Sequence, residues 1–322
     1  GAYSDGRHPD VVQFVPDVGA DLARRDFTIN AMAYNAEEGL VDPFGGQKDL
    51  QRGLVRAVGQ PRKRFEEDAL RILRLYRFAA RFGFAIDPAT EEAAKELSGH
   101  LDCVSVERIT DELTRLLAAP RPGGWLCREV FAVVLPELFT KQNASHFVEA
   151  KAVVDALPAG MEEMPARLAA LLVPLGEQGT REALRRLHCS NALIEETAVL
   201  VQAQARLRPA LPGARRVQAR RLLGRMEPDT LRRLLLLCAA QKQEDEDAFF
   251  GLWAEAQSLQ AEGACCRVSQ LAVNGRDLIA LGVAPGPGLR RVLDALLEEV
   301  ITDAVPNERQ ALLAAAARFS AS

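Results

Sequence analysis

Arg64-Phe65-Glu66-Glu67-Asp68-Ala69-Leu70-Arg71-Ile72-Leu73-Arg74-Leu75-Tyr76-Arg77-Phe78-Ala79-Ala80-Arg81-Phe82-Gly83-Phe84 is the stretch around which this chain is organised. Ile72, Leu75, Ala79 and Phe82 recur at helical intervals, and no Gly or Pro falls before Gly83. The spacing predicts a helix that starts downstream of Pro61 and stops at Gly83. Asp68, Arg71, Arg74 and Arg77 step along it at intervals of three, forming a slowly winding polar stripe beside the packing residues. A carboxylate in such a stripe can accept from the exocyclic amine of a base. A guanidinium one turn later can donate to ring acceptors, and further guanidiniums can hold phosphate. Taken alone, the helix fits a solvated face laced with ion pairs better, because charged helix faces are common.

Two segments upstream change that balance. Arg24-Arg25-Asp26-Phe27-Thr28-Ile29-Asn30-Ala31-Met32-Ala33 and Asp42-Pro43-Phe44-Gly45-Gly46 precede Glu67-Asp68-x-x-Arg71 in a fixed order. On these segments the chain resembles the class II tRNA nucleotidyltransferases, the CCA-adding enzymes, which share the motifs with bacterial poly(A) polymerases. The resemblance runs from about Tyr3 to Leu138. It returns at Val273-Asn274-Gly275-Arg276-Asp277-Leu278-Ile279, which is similar to the tail of the tRNA-specific members. The run from Arg24 to Ala33 carries most of the specificity; a lone Glu-Asp pair would carry none.

The resemblance implies an α+β fold. A truncated nucleotidyltransferase head with a partial mixed sheet would occupy residues 1–60, followed by an all-helical neck at 61–138, body at 139–265 and tail at 266–322. It implies template-independent addition of CMP and AMP, from CTP and ATP, to a tRNA 3' end. A bacterial poly(A) polymerase and a non-catalytic helical RNA-binding fragment are the alternatives. Arg25 would contact the incoming nucleotide and Asp26 the ribose 2'-hydroxyl, since a carboxylate accepts from a hydroxyl and Arg forks onto phosphate. Glu67, Asp68 and Arg71 would read the base edge, while Arg74 and Arg77 would join Arg25 in holding phosphates or sugar. Alternatively, Arg24 and Arg25 flank a buried helix and pair with Asp21 and Asp26. Asn30 either contacts nucleotide or bridges local backbone. Asp42 with Gly45-Gly46 is either the family's hinge-like connection or an ordinary tight turn.

The same chemistry implies Mg2+ ions that activate the 3' hydroxyl and neutralise the triphosphate. In the family their ligands come from an Asp-x-Asp on a strand after a Gly-Gly turn, both upstream of the Arg-Arg-Asp motif. Before Arg24 the chain offers Asp5, Asp10, Asp17 and Asp21, with neither pattern, and its one Asp-x-Asp is Asp245-Glu246-Asp247 in a polar helical region. No catalytic or metal-ligating residue is therefore assigned within the chain; they are expected upstream of Gly1. Gly1-Ala2-Tyr3 without an initiator Met reads as the middle of a domain, so a fragment or an unrecorded beginning is expected, inactive in transfer as written.

With 322 residues, 48% of them apolar and 26% charged, the chain suits two or three packed, largely helical units. A net charge of −4 excludes a globally basic nucleic-acid binder, so any RNA surface must be a local patch. Six cysteines without C-x-x-C spacing suggest neither zinc nor a disulfide framework, which fits the reducing cytoplasm. No apolar run reaches spanning length, so no membrane partner is expected.

Along the chain, Val11 to Val15, Ala33 to Asn35, Leu40 to Asp42 and Leu54 to Val58 read as short strands, and Asp21 to Ala33 as a helix-forming segment. From Pro61 onward helix follows helix. Asp87 is placed to cap the one at Pro88 to Leu97, and Ser105 begins another. His146 and His188 read as packing or surface residues. Arg206, Arg208, Arg215, Arg216, Arg220, Arg221 and Arg225, followed by Arg232 and Arg233, form a local basic patch. Of these, Arg215, Arg216, Arg220 and Arg221 are the candidate RNA-phosphate contacts; the alternative is pairing with Glu on neighbouring helices. Glu244 to Asp247 is a solvated acidic turn, and Leu278, Leu281, Leu289, Val292, Leu293 and Leu296 are at packing intervals in the tail.

Overall fold

The computed structural model describes residues 18–36, 39–140, 143 and 145–320; the strand expected at Val11 to Val15 lies outside the described residues. The chain divides into two compact units, Gly1–Ala203 and Gln204–Ser322. The expected head and neck both fall in the first, the tail in the second, and the body at 139–265 is shared between them.

In the first unit, α1 (Val18–Leu22) leads through a 3-10 turn at Thr28–Asn30 into an antiparallel hairpin, β1 (Ala33–Asn35) and β2 (Gly39–Val41), with Tyr34 opposite Leu40. Helix α2 (Gly46–Arg52) and strand β3 (Leu54–Val55) precede α3 (Pro61–Glu67) and α4 (Leu70–Phe82). Strand β4 (Ala85–Ile86) returns to lie parallel to β3. Helices α5 (Pro88–Glu96), α6 (Val106–Leu117), α7 (Arg128–Val134), α8 (His146–Ala156), α9 (Met164–Leu172), α10 (Gly176–Arg186) and α11 (Asn191–Arg206) follow. The core forms where α4 packs on α6 and β3, around fully buried Phe27, Phe65, Ile72, Leu73 and Leu75. Each such side chain contributes roughly 1.5–3 kcal/mol of apolar burial.

Three expectations are corrected here. The helix expected through Arg64 to Phe82 is broken at Asp68, whose backbone is extended (φ −155°, ψ 103°). The Asp68 carboxylate accepts from the Leu70 N–H at 3.1 Å and its carbonyl from the Arg71 N–H at 3.1 Å. A short acidic side chain that bonds neighbouring backbone offers the chain an alternative to helix, so α3 and α4 are separate. The segment Asp21 to Ala33 is not one helix either. Phe27 is extended, makes an isolated antiparallel bridge with Ala57, and is buried, which turns the chain before Thr28. Third, only Leu54 and Val55 of the strand expected to Val58 pair in a ladder, and their partner β4 begins two residues after Gly83. Gly83 does end α4, at φ 68°, and Asp87 does cap α5, accepting from the Thr90 N–H at 3.1 Å.

The second unit contains α12 (Arg215–Arg225), α13 (Pro228–Gln241), α14 (Glu246–Ala261), α15 (Gly275–Ala280), α16 (Pro287–Ile301) and α17 (Arg309–Ser320). Leu278, Val292, Leu296, Val300 and Leu312 share one core in its C-terminal helices. Leu281, expected there, is exposed instead. The Asn274-Gly275-Arg276-Asp277 motif is a capping box. Asn274 Oδ1 accepts from the Arg276 N–H at 2.8 Å, and Asp277 Oδ2 accepts from the Asn274 N–H at 2.9 Å. That backbone N–H, helped by Arg309, holds the Asp277 carboxyl below its usual range. No described helix is long and apolar enough to cross a membrane.

The Asp42 to Gly46 motif is a pinned helix start. Asp42 accepts from the N–H groups of Gly46 (2.6 Å) and Gln47 (2.9 Å), and Gly45 takes a left-handed conformation at φ 73°. A Cβ on Gly46 would meet the Thr28 carbonyl oxygen at 2.2 Å and the Met32 side chain at 2.9 Å. Gly46→Ala is therefore expected to destabilise by about 1–3 kcal/mol in urea unfolding. Gly99→Ala, with open space around its Cβ, should stay within about 0.5 kcal/mol of the parent chain.

Candidate nucleotide-binding site

Asp26 is buried between the two sequence motifs. Its Oδ1 accepts from the Phe27 N–H (2.9 Å) and Asn30 Nδ2 (3.1 Å), and its Oδ2 from Arg74 Nε (2.8 Å) and Nη2 (2.6 Å). These four bonds use the acceptor capacity of a carboxylate. Arg74, presented by α4, also lies 3.6 Å from Glu112 of α6. Glu112 is itself buried and makes a 2.5 Å charge contact with Arg77. Phe78 packs against both cations, with the Arg77 guanidinium 4.1 Å and the Arg74 guanidinium 5.4 Å from its ring centroid. Burial pulls the Arg77 guanidinium below its ordinary basicity, and the Glu112 charge opposes that.

Beside this network opens a cavity of about 540 Å³, within the range of small-molecule sites. Arg24, Arg25, Asp26 and Asn30 line it from the first motif, Asp68, Leu70, Arg71, Arg74 and Phe78 from the α3–α4 junction and α4, and Arg108 from α6. Arg25 is exposed and rests on Asp21 at 2.9 Å, with Arg24 3.7 Å from the same carboxylate. The pairing of both with Asp21 is thus present, whereas Asp26 serves Arg74. Asp68 Oδ2 accepts from Arg108 Nη2 at 3.0 Å. Arg71 donates to the carbonyls of Arg64 (3.1 Å) and Arg24 (2.7 Å) and to Glu67 (3.1 Å).

Of the seven residues expected to hold nucleotide, Arg25, Asp26, Asp68, Arg71 and Arg74 converge on the cavity. Glu67 and Arg77 do not line it: Glu67 is held by Arg64 (2.5 Å) and Arg71, and Arg77 by Glu112. Leu70, Phe78 and Arg108 also line the cavity, although the sequence gives them no role at the nucleotide. The one-turn spacing of Arg108 and Glu112 was the available signal, yet it reads equally as a surface pair until packing shows α6 against α4.

The arginine cluster of the second unit is largely consumed by its own fold. Arg220 is buried and donates to the carbonyls of Val300 (3.0 Å) and Ile301 (2.9 Å) and to Asp303 (2.6 Å). Arg216 pairs with Glu262 and Arg221 with Glu298, while Arg215 lies against Gly251. For Arg216, Arg220 and Arg221 the intramolecular alternative is the one present, because carboxylates and helix-end carbonyls are packed within their reach. Among the described residues no group of three His, Cys, Asp or Glu side chains could hold a metal ion. The residues described do not fit the Mg2+ that the resemblance implies, and no step is derived through it.

Comparison with known proteins agrees with this geometry. The family model of the poly A polymerase head domain matches residues 1–56, that of the RNA- and SrmB-binding site of polymerase A residues 83–140, and that of tRNA nucleotidyltransferase domain 2 residues 161–316. The chain is 34% identical over 322 residues to the CCA-adding enzyme of Geobacillus stearothermophilus, covering 98% of this chain and 76% of that protein. It superposes on the crystal structure of the Bacillus stearothermophilus CCA-adding enzyme in complex with CTP with a TM-score of 0.74 at 32% identity, covering 95% of this chain and 75% of the other. The Thermotoga maritima CCA-adding enzyme complexed with tRNA gives a TM-score of 0.67 at 25% identity, covering 94% and 73%. A cavity lined by both sequence motifs, together with the match to the poly A polymerase head domain, defines a nucleotidyltransferase. Within that class the chain belongs to the CCA-adding enzyme family.

The ion-pair network carries its own test. Glu112→Ala strands Arg77 and part of Arg74 in a dry setting, and removal of one partner of a buried pair costs about 3–5 kcal/mol. Glu107→Ala, which removes an exposed contact to His188, is expected to change stability by less than about 1 kcal/mol. Urea denaturation of the two variants checks the contrast.

Proposed function

We propose that the chain binds CTP or ATP in the cavity and selects the base there for addition of CMP and AMP to a tRNA 3' end. The observation that carries this reading is the convergence of the Arg24–Ala33 motif and the α3–α4 junction on one cavity of about 540 Å³. Asp68 has two acceptor sites in use, by Leu70 N–H and Arg108, which leaves capacity for a base amine. Cytosine and adenine both present an exocyclic amine donor next to a ring-nitrogen acceptor. A carboxylate beside a guanidinium matches that order, with Asp68 accepting and Arg71 or Arg108 donating. Uracil and guanine present an oxygen acceptor and a ring N–H donor, so the same pair meets them with like roles opposed. Arg24, Arg25 and Arg74 face the remainder of the cavity, where a triphosphate finds charge-assisted donors. Asp26 acts by holding Arg74 in place; a ribose hydroxyl reaches its filled acceptor sites only by displacing Asn30 or Arg74. All six cysteines are free thiols, which suits a reducing compartment such as the cytoplasm.

Asp68→Ala is expected to lower discrimination of CTP and ATP over UTP and GTP by about 1–3 kcal/mol, a roughly 5- to 150-fold loss in the ratio of dissociation constants, with tRNA affinity unchanged. Equilibrium binding of the four nucleotides to the parent and variant chains measures it, and an unaltered ratio overturns the assignment.

The transfer step is assigned to no residue of this chain, because the sequence carries no Asp-x-Asp before Arg24. Residues 1–322 with Mg2+ are expected to bind nucleotide without incorporating it into tRNA. Incorporation of labelled CMP by the purified chain would place the metal ligands among these residues.

A further inference from the structure

Arg167, in α9, is fully buried and directs its donors at backbone carbonyls. Its Nε donates to Pro158 (2.8 Å), its Nη2 to Leu157 (2.8 Å), and its Nη1 to Ala119 (2.7 Å) and to Leu117. Leu117 is the last residue of α6 and Leu157 caps the C-terminus of α8, so one cation closes two helix ends. The last carbonyls of a helix lack partners within it and carry the negative end of its dipole. They compensate a charge that burial would otherwise disfavour, with the carboxylates of Asp155 and Glu163 adding to the effect. The Gly160 N–H donates to the Ala118 carbonyl at 3.0 Å beside the same junction.

Helix α6 is also the element that brings Arg108 to the cavity and Glu112 to the guanidiniums of Arg74 and Arg77 beside it. Its N-terminal half is tied to the end of α10, where Thr110 Oγ1 donates to the Leu187 carbonyl at 2.6 Å and His188 Nδ1 lies 3.0 Å from Glu107. Arg167 is the corresponding tie at its C-terminal end. The contacts α6 makes, 3.0 Å from Arg108 to Asp68 at the cavity and 2.5 Å from Glu112 to Arg77 beside it, do not survive an axial slip of an ångström or more.

We infer that Arg167 is a positioning residue for nucleotide selection. By clamping the C-terminus of α6 to that of α8 it sets the axial position of α6, and through it the placement of Arg108 against Asp68 and of Glu112 against Arg74 and Arg77. The inference rests on the reading of the cavity as the CTP and ATP site.

The test uses the full chain with Arg167→Lys and Arg167→Met, and Leu200→Ala, a buried residue of α11, as a variant destabilised elsewhere in the same unit. Two quantities are read at a temperature where circular dichroism shows each protein fully folded: amide hydrogen exchange at residues 113–117, and the ratio of UTP to CTP dissociation constants. Lysine keeps the charge but lacks the planar fork that reaches both helix ends. Arg167→Lys is therefore expected to exchange roughly tenfold faster at those amides and to lose roughly tenfold in nucleotide discrimination, while Leu200→Ala retains both. If Arg167→Met does not fold, the lysine variant carries the test. Discrimination by Arg167→Lys equal to that of the parent overturns the inference, as does an equal loss in Leu200→Ala. A parent chain that fails to prefer CTP over UTP overturns the cavity reading itself and the inference with it.

Discussion

A single buried carboxylate constrains the first unit more than any other group. Asp26 and Arg74 come from motifs separated by 48 positions and meet at the wall of the cavity, with the carboxylate buried and every one of its acceptor sites filled. A buried ion left without its partner is strongly destabilising, so this pairing restricts how the head segment can approach α4. The restriction passes onward, because Arg74 shares Glu112 with Arg77 and Glu112 belongs to α6. Two helices and an irregular turn are thereby held at fixed distances. The cavity is the space that remains beside them.

The break at Asp68 follows the same logic on a smaller scale. A continuous helix through Arg64 to Phe82 would have kept Asp68 in register with Arg71 and Arg74. Its carboxylate instead bonds the backbone of the next turn, turns the chain, and meets Arg108 from another helix. The result is a carboxylate at the rim of the cavity with spare acceptor capacity, flanked by guanidiniums on both sides. An acceptor–donor pair of that kind requires an irregular backbone; a regular helix face would have spread the same groups along a stripe.

Arginine serves two different ends in this protein, and residue type alone does not separate them. Arg167 and Arg220 are buried and direct their forks at the carbonyls of helix ends, where a planar group with several donors satisfies orphan acceptors that a lysine would reach one at a time. Arg24 and Arg25 stand exposed at the cavity with a single carboxylate, Asp21, between them. The first kind holds the fold; the second kind leaves positive charge available to a ligand.

Features governed by neighbours within about four positions were legible from the residues: the stop at Gly83, the cap at Asp87, the strand at Ala33 to Asn35 and the order of the motifs that meet at the site. Five of the seven residues that the family resemblance put at the nucleotide line one cavity, whereas their types and spacing alone fitted a solvated, ion-paired helix face. Packing alone decided the rest. It withdrew Arg77 into a pair with Glu112, brought Arg108 to Asp68, paired β4 with β3, and turned Arg216, Arg220 and Arg221 toward acidic partners, the last of them 77 positions away. Periodicity reports which face of an element is apolar, whereas the partner of a charge depends on which distant element is packed within three ångströms of it.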